Sequence, residues 1–208
     1  MDYLQQLIER YSRLEPIKTE INAAFDIIAE SFIKGGKLLI AGNGGSAADA
    51  EHMVGELMKD FVKKRRLPES FVSAIEDVDA EIAQILVPLL QPGLPAISLS
   101  GHSSLNTAVI NDIDGATIFA QQVYGYGRVG DVFLGISTSG NAKNVLYAAV
   151  TAKAKKIKVI ALTGSTGGAL RHFADVSIRA PETETYKIQE LHLPIYHCLC
   201  LMLEERFF

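Results

Sequence analysis

The stretch Leu38-Leu-Ile-Ala-Gly-Asn-Gly-Gly-Ser46 constrains the fold of this chain more than any other. An apolar run of strand length ends in a turn carrying Gly42, Gly44 and Gly45, and helical spacing starts directly behind it and runs to Leu57. It predicts a strand, a tight turn and a helix N-terminus, with Ser46 as the N-cap. Glycines let the backbone approach a bound group, and the free N–H groups of a first helical turn favour an anion. His52 and Glu56 lie four residues apart on that helix and share one of its faces.

Four further apolar runs follow the same plan: Leu94–Ser100, Asp131–Ser137, Lys158–Thr163 and the short Asp175–Arg179. Helical spacing recurs near 104–111, near 116–126, behind Asn141 with Val145, Leu146, Ala149 and Val150, and from about Thr185 to Glu205. Nearly continuous apolar strands alternating with helices call for a parallel sheet covered on both faces, with right-handed crossovers. The expected fold class is α/β, a three-layer, doubly wound, five-stranded parallel sheet flanked by helices. Extra N-terminal helices occupy 1–34, broken near Pro16. A helical insertion, expected as one additional helix with loops, fills 67–93, where Ile75, Val78, Ile82, Ile85, Leu86, Leu89 and Leu90 recur at helical intervals. No linker, repeat or low-complexity tract divides the chain, so a single domain over 1–208 is expected.

Composition narrows the partners. A net charge of −4 lacks the basic excess that neutralises many phosphates, so no direct nucleic-acid partner is expected. The apolar fraction of 48% is high enough that part of it should be buried between subunits, which predicts a homo-oligomer. Cys198 and Cys200, two apart on a helical pattern, point to different sides and suit neither a disulfide nor a metal clip. The N-terminus is amphipathic and charged, and no run approaches the ~18 apolar residues of a membrane span, so a cytoplasmic protein is expected. Lys63-Lys-Arg-Arg66 could guide an anion, but a solvated helix end favoured by the C-terminal dipole is the plainer reading.

Two hydroxyl-rich turns, at Ser46 and at Ser137-Thr-Ser139, each end a strand and open a helix. Ligands gather at such strand ends. Neutral donors and helix dipoles at two turns are enough for one phosphate, without a lysine. The first turn lacks both dinucleotide spacing and the Gly-Lys-Ser/Thr of a nucleotide P-loop, so a small phosphorylated metabolite is expected and no nucleotide cofactor. In the last helix Gln189 and His197 are eight residues apart, about 80° around the axis and ~12 Å along it, and so can face one cleft. Pro194 between them is expected to kink the helix. His192 reads as structural.

Gly42-Asn-Gly-Gly-Ser46, Asp49, His52, Glu56, Asn111-Asp112, Gly130-Asp131, Gly135-Ile-Ser-Thr-Ser-Gly-Asn141, Leu162-Thr-Gly164, Ile188-Gln-Glu-Leu-His192 and His197 together resemble the sugar isomerase (SIS) domain family, and within it the phosphoheptose isomerases. The resemblance implies a homotetramer with active sites between subunits, and interconversion of sedoheptulose 7-phosphate with the aldoheptose 7-phosphate through an enediolate. By position, Glu56 is similar to the family's general base and His197 to its general acid. Asn43, Gly44, Ser46, Ser137, Thr138 and Ser139 resemble the phosphate cradle, and Gln189 the sugar-binding glutamine. Some members hold zinc through residues that fall on His52, Glu56, Gln189 and His197. The chain departs from the pattern at Ala142, where a further serine is expected, at Asp60 for an arginine, at Tyr186 for an acidic residue, and in the length of 67–93. Members of this fold also act as non-catalytic phosphosugar sensors or bind a replication initiator. Isomerisation of a shorter sugar such as an arabinose 5-phosphate is a third reading.

Overall fold

In the computed structural model, which describes residues 1–208, five parallel strands form one sheet. They are β1 (Leu38–Ala41), β2 (Ala96–Ser98), β3 (Val132–Ser137), β4 (Lys158–Gly164) and β5 (Val176–Ala180). Their order is β2-β1-β3-β4-β5. The chain thus winds outward from β1 to β2, returns, and winds the other way through β3, so the sheet reverses between β1 and β3. Register pairs Leu38 with Val132 and Ala41 with Gly135 across that reversal.

Alternation along the strands explains why both faces are apolar. Leu38, Ile40, Val132, Leu134, Ile160 and Leu162 point into one core, and Leu39, Ala41, Phe133, Val159 and Ala161 into the other. The first core is the larger and is covered by α1 (Tyr3–Arg10), α2 (Lys18–Ile33), α3 (Gly45–Met58) and α9 (Thr185–Phe207). The second is covered by α7 (Ile118–Tyr126) and α8 (Lys143–Ala154). Between α1 and α2 a 3₁₀ turn, Ser12–Ile17, contains Pro16, where the sequence predicts the break.

Three expectations are corrected. The insertion forms two helices, α4 (Glu69–Val78) and α5 (Ala80–Leu86), because the Asp79 side chain accepts from the N–H groups of Glu81 and Ile82 and starts a new helix. Lys63–Arg66 is not simply a solvated end. Arg65 is buried and caps α3, donating to the carbonyl oxygens of Glu56 and Leu57, while its guanidinium pairs with the equally buried Glu204 at 2.9 Å. Glu204 also accepts from the N–H groups of Phe61, Val62 and Lys63, which pins the segment leaving α3 against α9. Ser46 is not the N-cap: Gly44, at φ +54°, takes that position and Ser46 falls inside the first turn. With ψ at −122°, that backbone conformation is open to glycine and not to a residue carrying a Cβ.

α6 (Ser103–Asp112) follows β2. At the far end of the sheet from the glycine turns, Asp131 accepts from the N–H groups of Lys37 and Arg128 and pairs with the Lys37 ammonium at 2.6 Å. The Gly130-Asp131 motif is therefore a clamp joining the starts of β1 and β3. No helix is long and apolar enough to cross a membrane.

Candidate active site

The sheet reversal places the first turn, after β1, beside the second, after β3. The two are joined by a reciprocal amide pair in which Asn43 and Asn144 each donate to the other's oxygen, at 2.9 and 2.8 Å. Between the turns lies a cavity of about 360 Å³. Asn43, Gly44, Ser46, Ser137, Thr138, Ser139 and Gln189, all named from the sequence for this purpose, line it. Ala142, named from the sequence as the position where the cradle lacks a serine, also lines it, as do Gly45 and Thr185, which were not foreseen as lining residues. Thr185 opens α9, and a hydroxyl at the start of the last helix is the signal that could have identified it. Two helix N-termini, those of α3 and α8, point their free N–H groups towards this space, as an anion requires. Ala142 is the N-cap of α8 and has no side-chain oxygen to cap it; within the first turn Asn144 Oδ1 accepts from the Val145 N–H.

From the cradle two helices run side by side. Gly45 of α3 meets Gln189 of α9, and His52 meets Tyr196, at the same offset of 144 positions. A constant offset means that α3 and α9 lie parallel and in step. The contact at Gly45 is close: a Cβ there would stand 2.5 Å from Gln189 Nε2, so any larger residue pushes the glutamine aside.

Two to three turns beyond the cradle the titratable groups converge within a single chain. The His52 and His197 rings stand 4.9 Å apart, centroid to centroid, and nearly perpendicular. His52 Nε2 lies 3.1 Å from Glu56 Oε1, and Lys59 donates to Glu56 Oε2 at 3.1 Å. The Glu56 side chain is mostly buried, at 13% exposed, and its carboxylate is held from both sides by the more exposed His52 and Lys59. Burial, together with the nearby His52, holds the His197 imidazole below its ordinary pKa, although Glu56 acts in the opposite direction. Its neutral form is favoured as a consequence, and its buried Nε2 has no partner in the protein. Phe61 covers the ring at 5.3 Å, from the segment that Glu204 pins.

Gln189 and His197 thus lie along one interhelical path but at different stations, the glutamine at the cradle and the imidazole beside Glu56; α9 continues through Pro194. His192 lies off the path: fully buried, its Nε2 donates to the Thr163 carbonyl at 3.2 Å. The four residues named for zinc include donor types that suit it. Here, however, Glu56 is taken up by His52 and Lys59, and no group of three His, Cys, Asp or Glu side chains is arranged to hold a metal ion. As arranged here, the four side chains do not form a metal site.

The model of the SIS domain family matches residues 2–86 and 74–164. Phosphoheptose isomerase 2 of Campylobacter jejuni is 40% identical over 90% of this chain and 80% of its own length. Phosphoheptose isomerase of Rhodospirillum rubrum is 36% identical over 98% of this chain and 94% of its own. Among solved structures, a phosphoheptose isomerase from Francisella tularensis superposes with a TM-score of 0.77 at 32% identity, covering 98% of this chain and 95% of that one.

Proposed function

The chain belongs to the SIS domain family, among the phosphoheptose isomerases, and from that premise we propose that it interconverts sedoheptulose 7-phosphate and D-glycero-D-manno-heptose 7-phosphate, with Glu56 and His197 as its proton-transfer groups. It is an aldose–ketose isomerase. The observation that carries the residue assignment is the meeting of Glu56, His52 and His197 between two in-step helices that start at the phosphate cradle.

The reaction moves a proton between C1 and C2 of the sugar. Serine and threonine hydroxyls with the N-termini of α3 and α8 grip the phosphate, and Gln189 orients the chain of hydroxyls as it leaves the cradle. From Gln189 to His197 the helix rises about 12 Å, which suits an extended seven-carbon sugar phosphate and leaves a five-carbon one short of the acid–base pair. Glu56 removes the carbon-bound proton, giving the enediolate, and returns it to the neighbouring carbon. The neutral imidazole of His197 donates to the oxygen where negative charge develops and takes the proton back from the other oxygen. Its lowered pKa supports that neutral role. No step is routed through zinc.

Incubation of the purified protein with sedoheptulose 7-phosphate in deuterated water, followed by NMR, tests this reading. The aldoheptose phosphate should form with deuterium at C2, and Glu56→Gln should lower kcat by about 10²–10⁴-fold. A Glu56→Gln protein as active as its parent overturns the assignment. No product, with phosphosugar binding intact, identifies a sensor instead.

The same proposal includes a homo-oligomer, of four chains by analogy with what the family implies. In support, α4 has no buried residue and α5 only Ala83, while Val78 is 85% exposed, Leu89 70% and Ile85 62%.

A further inference from the structure

Tyr196 has no part in the proton transfers above, yet it sits among the groups that make them. Its side chain is buried to 1% exposure, and its ring stands edge-on to His52 at 5.6 Å and to His197 at 5.0 Å. Its hydroxyl lies 3.0 Å from His52 Nδ1. Asp49, one turn before His52 on α3, lies near enough for its charge to raise the phenol pKa, but its buried Oδ2 has no hydrogen-bond partner. Burial raises the Asp49 pKa despite the phenol and His52.

An imidazole that is hydrogen-bonded at only one nitrogen can swing about the bond to its Cβ. With Nδ1 tied, Nε2 has one direction left, and here it ends on Glu56 Oε1. The carboxylate is then gripped by His52 on one oxygen and Lys59 on the other, which fixes the plane from which it reaches a substrate carbon. Both ends of the tether come from the two helices that frame the site, so the tether also keeps α3 and α9 in step at this level.

We propose that Tyr196 is a positioning residue for the isomerisation: its hydroxyl donates to Nδ1 of His52, so that the Nε2–H of the ring aligns the Glu56 carboxylate. The inference rests on the assignment of Glu56 as the base. Tyr196 acts through His52 and does not touch the sugar.

The ring and the hydroxyl can be separated. Tyr196→Phe keeps the ring packing against both histidines and removes only the anchor, so its thermal midpoint should stay close to the parent's. Its kcat should fall about tenfold, with KM changed less than about twofold, as expected when a group that orients an active-site side chain is removed. In protein carrying ¹⁵N-histidine, the Nδ1 resonance of His52 should move in Tyr196→Phe. A kcat within about twofold of the parent, or a loss confined to KM, would overturn the proposal. So would an unmoved Nδ1 resonance. If instead Glu56→Gln retains full activity, the base assignment has failed, and the ¹⁵N measurement still reports whether Tyr196 holds His52.

Discussion

His192 has one satisfied nitrogen and one orphan, Nδ1, both sealed from solvent. Charging the ring would put a proton on that orphan nitrogen, so burial lowers its pKa from 6.5 to about 4 against the pull of the Thr163 carbonyl. The unfolded chain therefore binds this proton as pH falls through 6.5, and the folded chain only near 4. Stability contributed by the neutral ring is present above that window and lost across it, by up to about 3 kcal/mol. Urea unfolding at pH 7 and pH 4.5 should show this loss, and His192→Gln should reduce the dependence by about one proton; equal slopes would show that the ring does not report its burial. Ala142 is a second single-residue case. It has the extended backbone of an N-cap, ψ 116°, without an oxygen to offer, and it lines the phosphate cradle. Ala142→Ser should stabilise the protein by about 1 kcal/mol and tighten binding of inorganic phosphate in calorimetry. An unchanged thermal midpoint together with unchanged phosphate affinity would show that the hydroxyl reaches neither.

Among elements, the buried Arg65–Glu204 pair connects the end of α3, the segment over His197 and the end of α9. Arg65→Met leaves Glu204 buried beside backbone donors but without its cation, and leaves the last carbonyls of α3 uncapped. The cost should be about 3–5 kcal/mol in urea unfolding, and kcat should fall because Phe61 loses its support over His197. Wild-type stability in that variant would mean that the pair is replaceable. Nothing in the sequence separates Arg65 from its three basic neighbours, since its burial depends on Glu204 more than a hundred residues later. The same holds for Asn144, whose partner Asn43 lies across the sheet reversal. What can be read locally was legible: the strands as apolar runs, the turns as glycine and hydroxyl clusters, the break at Pro16. Ser46 was misplaced by two positions because a glycine at positive φ can itself start a helix. The division of 67–93 hinges on the backbone N–H groups that Asp79 accepts from, which hydrophobic periodicity does not register.

For the whole molecule, the fold reserves one side of the sheet for chemistry and leaves another part of the surface apolar. α3 and α9, which cover the larger core, carry the acid–base groups at its edge, whereas α4 and α5 project with Phe71, Val78, Ile82 and Ile85 exposed, followed by an exposed Leu89. Contiguous apolar surface of this kind on a chain that folds without it marks a face to be covered. If copies of the chain cover one another there, a charge placed on the face costs assembly and spares the fold, because these side chains have little core contact to lose. Val78→Glu combined with Ile85→Glu should lower the mass measured by light scattering at micromolar concentration towards that of one chain, with the circular dichroism spectrum unchanged. An unchanged mass would place the contact between copies elsewhere on the surface, and a parent protein that is already monomeric would refute the oligomer itself. Turnover in the dissociated variant separates two designs: activity retained means that the convergence of Glu56 and His197 within one chain is sufficient, and activity lost with the phosphate cradle still binding means that a neighbouring copy completes the sugar site.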